Sequence, residues 1–164
     1  MENIKIIFRL SLLVVSILYS CSKTEEGKLI NHSECKYNGK SVYVGQDYGS
    51  DTTSVSYVYL ENANTLKFKH TNTSFNCCPG ELSCDISISN DTIYIQEKAS
   101  KEDCDCMCLF DVEFEVYDIK TQTYHIEIIE PYIGSQDKLS FDIDLKAFTS
   151  GEYCLGRDQY PWGM

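Results

Sequence analysis

The chain has 164 residues, of which 25 are acidic and 14 basic, for a formal net charge of −11. A surface this negative repels phosphate backbones, which weighs against a nucleic-acid partner and against docking on anionic lipid through a basic patch. Nine cysteines raise the question of redox compartment before they can be read as ligands or as cross-links.

The first residues carry Lys5 and Arg9, and residues 6–19 are apolar apart from Arg9 and a few small polar side chains. That run is shorter than the roughly 20 residues a spanning helix needs, so it reads better as a signal core with a positive flank than as an uncleaved membrane helix. It closes on Leu18-Tyr19-Ser20-Cys21. Small Ser20 permits cleavage before the cysteine, and the Cys21 thiol is the nucleophile for lipid transfer. The segment resembles a bacterial lipoprotein signal with a lipobox of the signal peptidase II type, although Tyr19 is bulky for its place. A plain secretory signal with Cys21 as a free thiol is the alternative. The resemblance implies Cys21 as the lipidation site, acylated with palmitate-like chains, and a lipid-anchored location on the outer membrane. Two or three chains hold a protein far better than one. Ser22-Lys23-Thr24-Glu25-Glu26 resembles the acidic export signals of Bacteroidetes-type bacteria, which implies display at the cell surface.

This reading divides the chain into a signal peptide at 1–20, a polar tether at 21–34 without periodicity, and a single β domain at 35–164. Removing the signal leaves 144 residues with 12 basic and 24 acidic side chains. That length suits one core.

Beyond the tether, period-two alternation dominates. Asn38-Gly39 opens a strand at Lys40–Gly45, and a polar loop precedes a strand at Val55–Glu61. Asn62–Asn64 turns into Thr65–His70, where Leu66 and Phe68 alternate with lysines. Asp85–Gln96 reads as a hairpin about Asn90-Asp91. Leu109–Tyr117 sets Phe110, Val112, Phe114 and Val116 against three acidic side chains, and Tyr124–Ile129 and Leu139–Leu145 repeat the pattern. A short strand at Tyr153–Leu155 ends the series. Such spacing predicts an all-β fold, a two-sheet antiparallel sandwich of immunoglobulin-like type stapled by disulfides; the alternative is a small closed β-barrel. The Tyr124 strand resembles the one that bears the tyrosine corner of immunoglobulin-like folds.

With Cys21 set aside, eight cysteines remain: Cys35, Cys77, Cys78, Cys84, Cys104, Cys106, Cys108 and Cys154. An even number in an exported domain reads as a disulfide framework. If the Cys104 segment is extended, its sulfurs point one way at steps of roughly 6.6 Å. A tetrahedral zinc needs sulfurs roughly 3.8 Å apart, so separate partners on a neighbouring segment fit more easily. The simplest pairing joins two or three of Cys77, Cys78 and Cys84 to the Cys104 cluster and leaves Cys35 and Cys154 to tie the termini. A metal site and a vicinal Cys77–Cys78 ring are the alternatives.

Signals for catalysis are sparse, and no catalytic residue, metal or cofactor is assigned. His32 lies in the tether, His70 at a strand end and His125 on a polar strand face, where a histidine is ordinarily surface. Asp142 with Asp144, or Glu102, Asp103 and Asp105, could supply calcium oxygens but lack a calcium-loop glycine. Tyr48, Tyr132, Tyr160 and Trp162 lie near turns or ends and are the candidates for stacking on a sugar or a protein ligand. Asp51-Thr52-Thr53 and Asp91-Thr92-Ile93 resemble the Asp-Ser/Thr-aliphatic sites that Bacteroidetes-type bacteria O-glycosylate, implying Thr52 and Thr92 as acceptors. The vicinal pair followed by a CxCxC strand leader makes the mature domain similar to small cysteine-rich lipoproteins of that group, a resemblance that implies location and fold but no mechanism. The expected function is a lipid-anchored binding or envelope-interaction module for glycan or protein. The alternative is an extracytoplasmic enzyme or metal-binding protein that uses the carboxylates or the cysteine cluster.

Overall fold

The computed structural model describes residues 26–36 and 52–158. The signal segment, Cys21, the expected strand at Lys40–Gly45, Tyr48, Tyr160 and Trp162 lie outside the described residues. Among the described residues nine strands follow in chain order: β1 (Gly27–His32), β2 (Thr52–Leu60), β3 (Thr65–Asn76), β4 (Leu82–Ser89), β5 (Thr92–Ala99), β6 (Met107–Val116), β7 (Thr123–Ile129), β8 (Leu139–Asp144) and β9 (Ser150–Gly156). They form two sheets, ordered β1-β6-β3-β2-β9 and β4-β5-β7-β8. The sheets are separate, so the fold is a sandwich and not a closed barrel.

The sheets enclose one core, with Leu66, Phe68, Phe75, Val112 and Phe114 from the first sheet against Ile93, Ile95, Ile126, Ile128 and Leu139 from the second. These are the inward positions of the alternating strands, and burying a side chain of this size contributes roughly 1.5–3 kcal/mol. The outward positions of β3 and β6 carry opposite charges in register, as in the Lys67–Glu115 pair at 2.7 Å. Tyr124 forms the expected corner: the Lys120 backbone N–H donates to its hydroxyl at 3.0 Å, from four residues upstream.

Three features depart from the sequence expectation. One is the parallel pairing of β5 with β7, which makes the second sheet mixed. Between these strands the chain crosses to the other sheet to lay down β6, and a strand that returns by such a crossover runs parallel to its neighbour.

The second is the supposed tether. Gly27–His32 is an edge strand paired with β6, and Ser33 continues the attachment by donating its N–H to Asp111 O at 2.8 Å. Most side chains of β1 are exposed. An edge strand held by backbone hydrogen bonds needs little apolar alternation, so the pattern was silent there. Gly27 sits so close to its neighbours that a Cβ would collide with the Glu115 carbonyl oxygen and lie 2.8 Å from Ile86 Cδ1. Glycine is the residue that allows this approach.

The third is β3, expected to stop at His70 but running on to Asn76. Thr71 and Asn72 together oppose Asp111, and Asn72 takes φ 65°. Two residues against one is a bulge, and it shifts the phase of alternation from Leu66, Phe68 and His70 to Thr73 and Phe75. The Asp111 carboxylate holds the bulge by accepting from the Asn72 N–H at 3.1 Å and from the Lys36 ammonium.

All strands run between two poles. The proximal pole, where the chain arrives at Glu26, holds the turns at 61–64, 90–91, 117–122 and 145–149. Here the Glu26 carboxylate accepts from Ile88 N–H at 2.6 Å and its carbonyl from Tyr117 N–H at 2.9 Å. The distal pole holds the segments at 33–36, 77–81, 100–106 and 130–138.

Candidate functional site

Two groups of polar side chains stand out, each centred on a histidine. The first is buried between the sheets. His70, read from the sequence as lying at a strand end, has no exposed side-chain area. Its Nδ1 lies 2.6 Å from Glu97 Oε1, and its Nε2 lies 2.7 Å from Thr53 Oγ1. Thr73 donates to Glu97 Oε2 at 2.6 Å. The second carboxylate, Glu130, has an oxygen 3.9 Å from His70 Nε2 and is paired with Arg157, which also donates to Asp137 O at 2.7 Å. His70 continues the inward phase of Leu66 and Phe68 up to the bulge, so alternation sets its face, while the carboxylates it meets come from strands and loops that alternation does not connect.

The hydrogen bonds set the charge of this group. Glu97 only accepts, so Nδ1 must donate to it. Thr53 has one hydroxyl proton, which its bond to Thr71 O at 3.0 Å takes up. The Thr53 oxygen therefore accepts from Nε2. A histidine that donates from both nitrogens is an imidazolium. Burial pushes the His70 pKa down, but the Glu97 and Glu130 carboxylates outweigh it and leave it raised. Desolvation, seconded by the Glu97 charge, raises Glu130 against the pull of His70 and Arg157. Two cations thus face two carboxylates, a balanced set that the interior can hold. Enclosure on this scale fits a structural lock, since no substrate can reach these atoms.

The second group lies on the outer face of the other sheet. His125 of β7 stands opposite Asp142 of β8, and its Nδ1 is 2.7 Å from Asp142 Oδ1. Ser140 Oγ is 3.0 Å from Nε2, and Glu127 Oε1 is 3.6 Å from the same nitrogen. Ser140 and Glu127 also line a groove of about 610 Å³ at the distal pole, whose walls include Ile129, Pro131, Ile133 and Lys138. That volume is in the range of small-ligand sites. No sequence signal singled out Ser140. The strands that bear these residues were legible, but the 130–138 loop joining them is long enough to permit several registers, and register decides which side chains meet.

The cysteines define the rest of the distal pole. Cys35 bonds Cys108, Cys77 bonds Cys106, and Cys78 bonds Cys104. Two of the three upstream cysteines thus join the CxCxC cluster, as expected. The segment is not one extended strand: residues 104–105 bend before β6, only Cys108 lies in the strand, and each of the three cysteines has a separate partner. Asn76 organises the bend, its Oδ1 accepting from the N–H groups of Cys78 at 2.9 Å and Cys104 at 3.2 Å. Cys35 does not tie the chain ends: its partner is Cys108, while Cys154 is exposed on β9 with no disulfide among the described residues. Cys84, half-buried on β4, is outside these three pairs.

Tyr132, a binding candidate, is half-buried, packs edge-on against Phe75 with centroids 6.5 Å apart, and donates its hydroxyl to Glu102. Burial, then the Glu102 bond and charge, pushes its pKa up to about 12. A ring pinned in this way has little face left for stacking. Thr52 is exposed at the start of β2, whereas Thr92 is half-buried beside the Asn90-Asp91 turn. No protein-family model, curated protein or solved structure matches this chain.

Proposed function

We propose that the protein is a lipid-anchored extracytoplasmic lipoprotein of the outer membrane whose β-sandwich acts as a binding or envelope-interaction module for a glycan or protein ligand. The observation that carries this reading is the polarity of the domain. The chain enters at Glu26, at one pole, while the groove and the three disulfides lie at the other. Cys21 is five residues from Glu26. An extended chain of that length reaches at most about 18 Å. Acyl chains on Cys21 would hold the proximal pole close to the bilayer and turn the groove outward, where a ligand can reach it. Cross-links suit an oxidising compartment. Apolar walls with a few charged side chains at the rim suit recognition of a partly apolar ligand.

Metabolic labelling with a palmitate analogue, followed by fractionation, tests the anchor. Wild-type protein should carry label and sediment with outer membranes, and C21A should lose both. Label retained by C21A would overturn the anchor. A glycan array and a cross-linking pull-down with the full mature lipoprotein in detergent test the ligand, and substitutions at Ile133 and Lys138 should weaken whatever is captured.

A further inference from the structure

The geometry points to a second capability of the same groove: Ser140, His125 and Asp142 form a nucleophilic site that cleaves small carboxylic esters with an apolar acyl group. The inference shares the groove with the proposed binding role but depends on neither the lipid anchor nor the identity of that ligand.

Cross-strand polar side chains on a wet sheet face often touch without consequence. Two observations separate this set from that background. The first is connectivity. Asp142 can only accept, so His125 Nδ1 is the donor there, and in the neutral imidazole Nε2 then turns its lone pair toward Ser140 Oγ at 3.0 Å. Among the described residues the hydroxyl of Ser140 has no bond to a carbonyl or carboxylate oxygen, so its proton is available to that lone pair. Nucleophile, base and orienting carboxylate thus stand in the order that acyl transfer requires, whatever the fold that supplies them. The second is placement. Ser140 is exposed and lines a groove large enough for a small ester, with apolar Ile129, Pro131 and Ile133 to receive the acyl chain.

Each step balances. Ser140 Oγ bonds the ester carbonyl carbon while its proton passes to His125 Nε2. The imidazolium so formed is held by Asp142 at Nδ1 and by Glu127, 3.6 Å from Nε2. Collapse breaks the carbon–oxygen bond of the leaving alcohol, which takes the proton from Nε2. Water then attacks the acyl-serine with His125 again as base, releasing the acid and restoring Ser140. Lys138 and the turn containing Gly134 line the same groove and are the groups within it that can offer positive charge or N–H donors to the oxyanion. Glu127 at the groove and Asp142 beside His125 put negative charge around Ser140, so neutral or cationic esters should be preferred over esters bearing a carboxylate.

Full-length protein in detergent, incubated with a fluorophosphonate probe and with p-nitrophenyl butyrate, tests the proposal. Peptide mass mapping should place the phosphonyl group on Ser140, and hydrolysis should show a burst of p-nitrophenol. S140A should abolish labelling and lower kcat/KM at least 100-fold, H125Q should do nearly as much, and D142N should cost about 10-fold or more. Because these side chains are exposed, all three variants should keep the wild-type thermal transition. Absence of phosphonyl on Ser140 in folded wild-type protein, or hydrolysis unchanged in S140A, would overturn the proposal. Ligand capture retained by S140A would leave the binding role standing by itself.

Discussion

His70 and His125 have the same neighbours by type: a carboxylate at Nδ1 and a hydroxyl at Nε2. The distances are alike, 2.6 and 2.7 Å for the first and 2.7 and 3.0 Å for the second. What differs is the surroundings. Thr53 has committed its proton to Thr71 O, so His70 must donate to it and is held as a cation in the core. Ser140 has made no such commitment and stands in water at the rim of a groove. The same triplet is therefore a lock in one place and a candidate nucleophile in the other. The third hydrogen bond, made by the hydroxyl, decides between them.

The largest effect should come from breaking the buried set. H70A or E97A leaves a charge without its partner inside the sandwich and should cost about 3–5 kcal/mol, read from denaturant unfolding with the disulfides intact. Double replacement by apolar residues of similar size should cost less, because no orphan remains. Next comes the distal pole. The Cys77–Cys106 bond lies just outside the Cys78–Cys104 bond, which by itself already closes most of the same loop, so removing it should cost roughly 2 kcal/mol by loop-closure entropy. A C77A/C106A pair tests this without leaving a free thiol at either position.

G27A should cost about 1–3 kcal/mol, since the Glu115 backbone must move to admit the methyl group. Hydrogen exchange should then rise first in β1 and at Ile88, whose amide Glu26 holds. Acidity offers a gentler way to separate the two histidines. The folded pKa of His70 is raised above its ordinary 6.5, so its contribution is complete below that pH and is lost as pH rises through the folded value. Glu130 is raised as well and acts in the same direction, from its ordinary 4.5 upward. Stability should fall as pH climbs above about 6.5, and H70Q should flatten that part of the curve. The smallest effect belongs to H125Q. Its partners are exposed, so unfolding free energy should change by about 0.5 kcal/mol or less. A loss comparable to that of H70A would show that the outer triplet also serves as a lock.

Much of this molecule was legible before any coordinates. The hairpin about Asn90-Asp91, the alternation of β6, β7 and β8, and the link between the Cys77 and Cys104 regions followed from period-two patterns, turn chemistry and strand geometry. β1 was not legible, because an edge strand with one half-buried leucine lacks the alternation by which strands are read. The second half of β3 was hidden by polar Thr71, Asn72, Thr73 and Ser74, of which Thr73 and Ser74 are buried beyond a bulge that sequence spacing does not reveal. No pattern in the sequence marks Glu97, Glu130 or Arg157, and only the closing of the two sheets brings them to His70.

By itself the sequence determined an acidic, cysteine-rich β domain whose strands, turns and inward apolar positions are largely set, since those depend on neighbours two to four residues away. Tertiary structure decided the rest: the parallel β5–β7 pair, the disulfide partners, the charge of His70 and the meeting of Ser140 with His125. Each of these depends on register and sheet order, which bring together residues far apart along the chain, and contacts of that kind are chosen by the packing of the whole core.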